Sequence, residues 1–178
     1  NAARAKGVQI IHAPSDTMDF YVDAPARQRI LAAPAVTPPP PLEHDTPPLP
    51  IDASDEGSDT GELQTYKAWS RQHAALEIDQ NKDAISDKGQ EVYSFLQQRA
   101  IEQVLIMGVH TNMCVLNRSF AIKQMVKWGV EIALVRDLTD TMYNPARSPY
   151  VSHDEGTRLV VEYIEKFWCP SLLSTDLL

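Results

Sequence analysis

The chain has 178 residues, of which 43% are hydrophobic, and this suits one globular domain with a substantial core. Its formal net charge of -8 argues against partners such as nucleic acid or an anionic membrane surface. No apolar run approaches the roughly 20 residues of a membrane-spanning helix, and no signal peptide is visible. The two cysteines, Cys114 and Cys169, lie too far apart in sequence to form a disulfide framework, which favours a cytoplasmic location.

The first third of the chain predicts short elements followed by a long irregular segment. The predicted elements are a helix tail over 1–6, a strand over 8–12, a turn over 17–22 and a helix over 26–33. Gly7 ends the first helix and Pro25 begins the next. Because a domain rarely starts with the tail of a helix, we expect sequence upstream of residue 1. Residues 34–62 are Pro-rich and then acidic, which predicts an extended excursion that is either a solvated surface segment or a lid.

The rest of the chain alternates predicted strands and helices. In order these are a helix over 63–70, a strand over 75–78, a polar loop over 79–88, a helix over 90–99, a strand over 103–107, a helix over 114–128, a strand over 130–135, a loop over 137–145, a helix over 156–167 and a short strand within 171–178. Such alternation predicts an α/β fold with a parallel sheet. Ligands bind outside the carboxyl ends of parallel strands, so loops 12–16, 79–82, 110–114 and 137–143 are expected to converge on one crevice.

One cysteine in these loops stands out by its position. Cys114 follows a short apolar run and a polar turn, and it begins the predicted helix over 114–128. Backbone N–H groups and the helix dipole favour negative charge there, so a thiol becomes a better nucleophile. The alternative is a buried, inert cysteine that packs the strand–helix junction. The predicted convergence of four loops favours the reactive thiol.

The segment Gly108-Val109-His110-Thr111-Asn112-Met113-Cys114-Val115 resembles the isochorismatase-like cysteine hydrolases. That family includes nicotinamidases, N-carbamoylsarcosine amidohydrolase and isochorismatase, and its pattern is Gly-apolar-x-Thr-x-x-Cys-Val. The likeness extends from Gln90 to about Asp140. It implies a three-layer α/β/α fold on a parallel sheet, with residues 1–178 forming a single domain.

The resemblance also implies the parts of a catalytic site. Cys114 takes the place of the nucleophile, and Lys82 takes the place of the family's loop lysine. A register shift of one to three residues would put Asn81 or Asp79 there instead. The family's general-base Asp lies on a first strand that this sequence lacks, and that strand would be central in the sheet.

Two further features of the turn follow from the resemblance. The backbone N–H groups that hold the oxyanion map to His110 and Cys114. A cis peptide bond maps to Val109–His110.

Four residues outside the turn are predicted to bind substrate: His12, Asp16, Phe20 and Tyr143. No metal is expected, because the Asp-x-His motif of metal-binding nicotinamidases lacks its His here. Cys169 is interpreted as structural.

The resemblance predicts an enzyme that cleaves a C–N bond of a small-molecule substrate through a covalent acyl-enzyme on Cys114. It implies no cofactor and a homo-oligomer. Two alternatives remain: a non-catalytic binding or assembly protein with the same fold, and an isochorismatase-type vinyl-ether hydrolase.

Overall fold

Helices and parallel strands alternate along the chain, which confirms the α/β class. The structure is a computed structural model that describes residues 2–57 and 69–177, so most of the predicted helix over 63–70 lies outside the described residues. The elements are α1 Ala2–Ala5, β1 Ile11–His12, a 3-10 turn Met18–Tyr21, α2 Pro25–Leu31, β2 Ala84–Ile85, α3 Gly89–Gln98, β3 Gln103–Val109, α4 Cys114–Asn117, α5 Ile122–Lys127, β4 Glu131–Asp140, α6 His153–Phe167, β5 Ser171–Leu172 and a 3-10 turn Ser174–Leu177.

The strands of the described residues form two parallel sheets and not one. One sheet pairs β1 with β2, and the other has the order β3-β4-β5. Since every pairing is parallel, the carboxyl ends of the strands within each sheet lie at the same edge. The larger core cluster contains buried residues from α3, α5, β4 and α6, and a smaller cluster is formed by Tyr21, Ala26 and Ile85.

The strand predicted over 75–78 is wrong. Leu76 in that segment is 60% exposed, and the strand is β2, which lies inside the predicted polar loop 79–88. Residues 83–86 are all buried, but the polar side chains of Asp83 and Ser86 flank the two apolar ones. Both are satisfied by hydrogen bonds, because the Ser86 hydroxyl donates to Glu91 at 2.5 Å and the Asp83 carboxylate accepts from Arg4 at 2.8 Å. A two-residue strand between polar neighbours has no apolar run that sequence patterning can detect.

The single helix predicted over 114–128 is also wrong, because the chain leaves helical geometry at Arg118. That residue is extended (φ -65°, ψ 160°) and separates α4 from α5. The break lets α3 dock against it. Gly89 N donates to Ser119 Oγ at 3.0 Å, and a Cβ on Gly89 would lie only 1.9 Å from the carbonyl oxygen of Ser119.

The Pro-rich segment has neither helix nor strand over 34–49, as predicted, but it packs on the protein. Leu42 N donates to the Lys127 carbonyl at 2.8 Å. The Tyr163 hydroxyl donates to the Pro47 carbonyl at 2.7 Å, and the His44 ring stacks on Trp168 with centroids 4.1 Å apart. The segment is therefore held against α5 and α6. Among the residues that the structure describes, no helix is both long and apolar enough to cross a membrane.

Candidate active site

The turn between β3 and α4 is fixed to the end of β4. The Val109–His110 peptide bond is cis, as the resemblance implies. Thr111 is fully buried, and its backbone N–H donates to the Asp140 carbonyl at 2.8 Å. Asn112 exchanges two hydrogen bonds with the Met142 backbone, at 3.0 and 3.1 Å. The two buried polar residues therefore set the position of the segment that carries Cys114.

Cys114 is the first residue of α4 and is half-buried, as the predicted nucleophile must be to meet a substrate. The His110 carbonyl accepts hydrogen bonds from the amides of Met113 and Val115, at 3.1 and 3.2 Å. Within residues 2–57 and 69–177, the amides of His110 and Cys114 themselves hydrogen bond to no backbone carbonyl. Amides without an internal acceptor remain available to a developing oxyanion.

Arg118 is a residue of this site that the sequence reasoning missed. Its Nη2 lies 2.9 Å from Asp16 Oδ2. Its hydrogen bond to the Cys114 thiol is the largest of the causes that raise the pKa of Arg118 above its ordinary value, and the contact with Asp16 adds to that. The available signal was its spacing of four residues from Cys114, which brings two side chains together on a helical turn.

Two carboxylates stand at the carboxyl ends of β1 and β2. Asp16 follows β1, and its backbone N–H donates to Asp87 Oδ2 at 2.8 Å. Asp87 follows β2, and its Oδ1 is buried with no hydrogen-bond partner among the described residues. Asp16 is thus brought to the predicted site, whereas Asp87 lay in the segment predicted as a polar loop and was not singled out.

The catalytic role of Lys82 was predicted because it was placed in a loop after a strand. The structure corrects this placement, since Lys82 lies before β2 and not after it. Its backbone carbonyl accepts from Gln9, which precedes β1, at 2.9 Å. The Lys82 side chain is 74% exposed, and its Nζ is 3.9 Å from Asp79 Oδ2. Asn81 and Asp79 precede β2 as well. The loop 79–82 therefore belongs to the amino end of the strands, opposite to the end that carries Asp16 and Asp87.

The structure gives His12 and Phe20 partners other than Cys114. His12 Nε2 lies 2.9 Å from Asp83 Oδ2, and its Nδ1 lies 3.2 Å from Gln72 Oε1. Phe20 is about half exposed and stacks under the Arg71 guanidinium at 5.5 Å. Their predicted roles in substrate binding remain predictions.

Tyr143 was predicted to bind substrate, and this is wrong because the residue is fully buried. Its hydroxyl donates to the Arg147 carbonyl at 2.8 Å. A Cβ on Gly156 would lie 2.4 Å from its ring, so Tyr143 is packed tightly against the start of α6. Tyr143 therefore packs against the inner side of the loop that follows β4 and supports it.

A pair of histidines flanks the turn on the β4 side. His153 Nε2 lies 2.9 Å from Asp140 Oδ1. Burial lowers the pKa of His110, and the neighbouring Asp140 offsets this only in part. In the described part of the chain, no group of three or more His, Cys, Asp or Glu side chains is arranged to hold a metal ion.

Comparison with known proteins assigns no family to this chain. No protein-family model matches the chain, and no curated protein matches it. The features of the chain that bear on its function are therefore the half-buried thiol, Arg118 and the carboxylates of Asp16 and Asp87.

Proposed function

We propose that this chain is a cysteine hydrolase that cleaves a C–N bond of a small amide by attack of Cys114, with the three-layer fold of the isochorismatase-like family. One observation carries the proposal. A half-buried thiol begins α4 at the carboxyl edge of the parallel strands, and Arg118 closes the following turn with its backbone N–H on the Cys114 carbonyl at 3.3 Å. Structural cysteines are buried in apolar surroundings, as Cys169 is here.

The chemistry needs a base, a nucleophile and an oxyanion site. A carboxylate takes the proton of the Cys114 thiol, and the sulfur attacks the amide carbon. The oxygen becomes negative and is held by the amides of His110 and Cys114. The C–N bond then breaks, the amine leaves with the proton, and an acyl thioester stays on the sulfur. Water adds to the thioester and releases the carboxylic acid and the thiol.

We propose Asp87 as the proton acceptor in this scheme. It follows β2 at the correct edge, and its buried Oδ1 has no hydrogen-bond partner among the described residues. An acceptor without an internal donor is free to take a proton. Asp16 is less suited, because its Oδ2 is held by Arg118 at 2.9 Å.

A non-catalytic binding or assembly protein is the second candidate. It is favoured by the pairing of Asp16, whose carboxylate is held by Arg118 at 2.9 Å. A homo-oligomer and a small-molecule ligand are part of both proposals.

The two candidates are separated by one experiment. The purified protein is incubated with a panel of small primary amides, and ammonia release is measured beside intact-protein mass spectrometry to trap an acyl adduct. The Cys169→Ala variant should keep turnover, while Cys114→Ala should lose both turnover and adduct. Turnover retained in Cys114→Ala would refute the assignment, and binding without turnover in the wild type would favour the second candidate.

A further inference from the structure

We propose that Arg118, oriented by Asp16, is the cationic partner of the Cys114 thiolate. The site would then take positive charge from a residue one turn after the nucleophile. This inference rests on the proposed function, because it names the group that sustains the nucleophile of that reaction.

The position of Arg118 follows from the break between α4 and α5. Arg118 is the C-terminal cap of α4, and its backbone N–H donates to the Cys114 carbonyl at 3.3 Å. One helical turn therefore separates the two residues, and its side chain can return along the turn to the sulfur. Because Arg118 itself is extended, its side chain lies outside the packing of a continuous helix and is 43% exposed.

Asp16 orients the Arg118 guanidinium through an ion pair. It occupies the left-handed region (φ 58°), which Asp tolerates better than most residues. Its backbone N–H is held by Asp87 at 2.8 Å, so its carboxylate is presented to Arg118 Nη2 at 2.9 Å. The ion pair fixes one edge of the guanidinium, and the remaining N–H donors are left for the sulfur.

The choice of arginine fits this double contact. A guanidinium has five N–H donors in a rigid plane, so it can hold a carboxylate and a sulfur at once. A nearby positive charge favours the thiolate over the thiol and speeds its reaction with electrophiles. Arg118 acts on the reacting sulfur in this scheme, and Asp16 is a positioning residue that acts through Arg118.

The test is the rate at which iodoacetamide alkylates Cys114, followed by mass spectrometry across a pH series. We expect Arg118→Gln to slow alkylation about tenfold at neutral pH, the scale of one charge-assisted hydrogen bond at a partly exposed site. At alkaline pH the rates of variant and wild type should converge. Arg118→Lys should recover part of the loss, and Asp16→Asn should slow the reaction by a smaller factor.

Arg147→Gln is the matched control. Arg147 is 45% exposed and pairs with Asp55 at 3.0 Å, which closely resembles the Arg118–Asp16 pair. Its loss should leave alkylation of Cys114 unchanged. If Arg118→Gln unfolds, the same test is made by measuring the alkylation rate of Cys114 against pH in Arg118→Lys and Asp16→Asn.

The outcomes separate this inference from the proposed function. If wild-type Cys114 reacts faster than a free cysteine derivative and Arg118→Gln reacts equally fast, the role of Arg118 is overturned while the nucleophile stands. If wild-type Cys114 reacts no faster than the free thiol, both proposals are overturned. A tenfold loss that alkaline pH restores supports the inference.

Discussion

Asp83 is the buried carboxylate on which the amino-terminal sheet depends, and its replacement by Asn should destabilise the protein. Its side chain is only 1% exposed. Its Oδ1 accepts from Arg4 Nε at 2.8 Å, and its Oδ2 accepts from the Asp79 backbone N–H at 2.8 Å and lies 2.9 Å from His12 Nε2. These contacts join α1, β1 and the turn before β2 at one carboxylate.

The size of the effect follows from the pKa of this carboxyl group. Burial acts to raise the pKa of Asp83, but the hydrogen bonds from Arg4 and His12 more than offset it and hold the pKa at about 2, against 3.8 for the free side chain. That difference corresponds to about 2 kcal/mol of stability at neutral pH. Asp83→Asn also removes the negative charge that pairs with the Arg4 guanidinium, and breaking a buried pair costs about 3–5 kcal/mol. We therefore expect a loss of about 2–5 kcal/mol.

The pH dependence identifies the cause. A carboxyl group whose pKa is depressed by folding stabilises the protein above its unfolded pKa, and that stabilisation is lost as pH falls through the folded value. The gap between wild type and Asp83→Asn should therefore be constant from about pH 5 upward and shrink between about pH 4 and 2. Urea unfolding at several pH values measures it, with the exposed Asp23→Asn as the control. A gap below about 0.5 kcal/mol at neutral pH, the ordinary range for surface changes, would refute the reasoning.

Three further outcomes are expected. Burial raises the pKa of Cys169 to about 12, so peptide mapping after alkylation at neutral pH should find Cys114 modified and Cys169 intact; equal labelling would contradict this. Gly89→Ala would place a Cβ 1.9 Å from a backbone oxygen in the break after α4, and should cost about 1–3 kcal/mol in urea unfolding and slow alkylation of Cys114. Gly156→Ala would place a Cβ 2.4 Å from the Tyr143 ring and should lower stability by a similar amount without changing that alkylation rate.

Sequence patterning could predict features that depend on neighbouring residues. The apolar run of β3 and the adjacent turn are local, and so the α/β class and the start of a helix at Cys114 could be predicted, whereas the cis bond at Val109–His110 followed only from the family resemblance. Strand β2 could not, since it is two residues long and its polar neighbours are satisfied only by distant partners such as Arg4. Tyr143 is a similar case, because its burial depends on the close approach of Gly156.

Arg118 shows why a site residue can escape a motif. Its spacing of four residues from Cys114 indicates proximity on a helical turn and nothing more. Its role depends on the extended backbone at Arg118 and on Asp16, a residue 102 positions away. Neither is visible from spacing alone, whereas the loop lysine was sought at Lys82 only because a strand was predicted in the wrong place.

Two contacts near Cys114 should have separable effects on stability and reactivity: the Arg118–Asp16 ion pair and the close approach of Gly89 to Ser119. An exposed ion pair such as Arg118–Asp16 contributes about 0–1 kcal/mol to stability, so Arg118→Gln should change the reactivity of Cys114 with little effect on unfolding. The approach of Gly89 to Ser119 is a contact of main chain with main chain, and a Cβ there cannot be accommodated by a side-chain rotation. Gly89→Ala should therefore change stability and reactivity together, because it moves the segment that carries Arg118. Equal destabilisation by both variants would mean that the ion pair contributes as much to stability as the glycine contact, and it would contradict this separation.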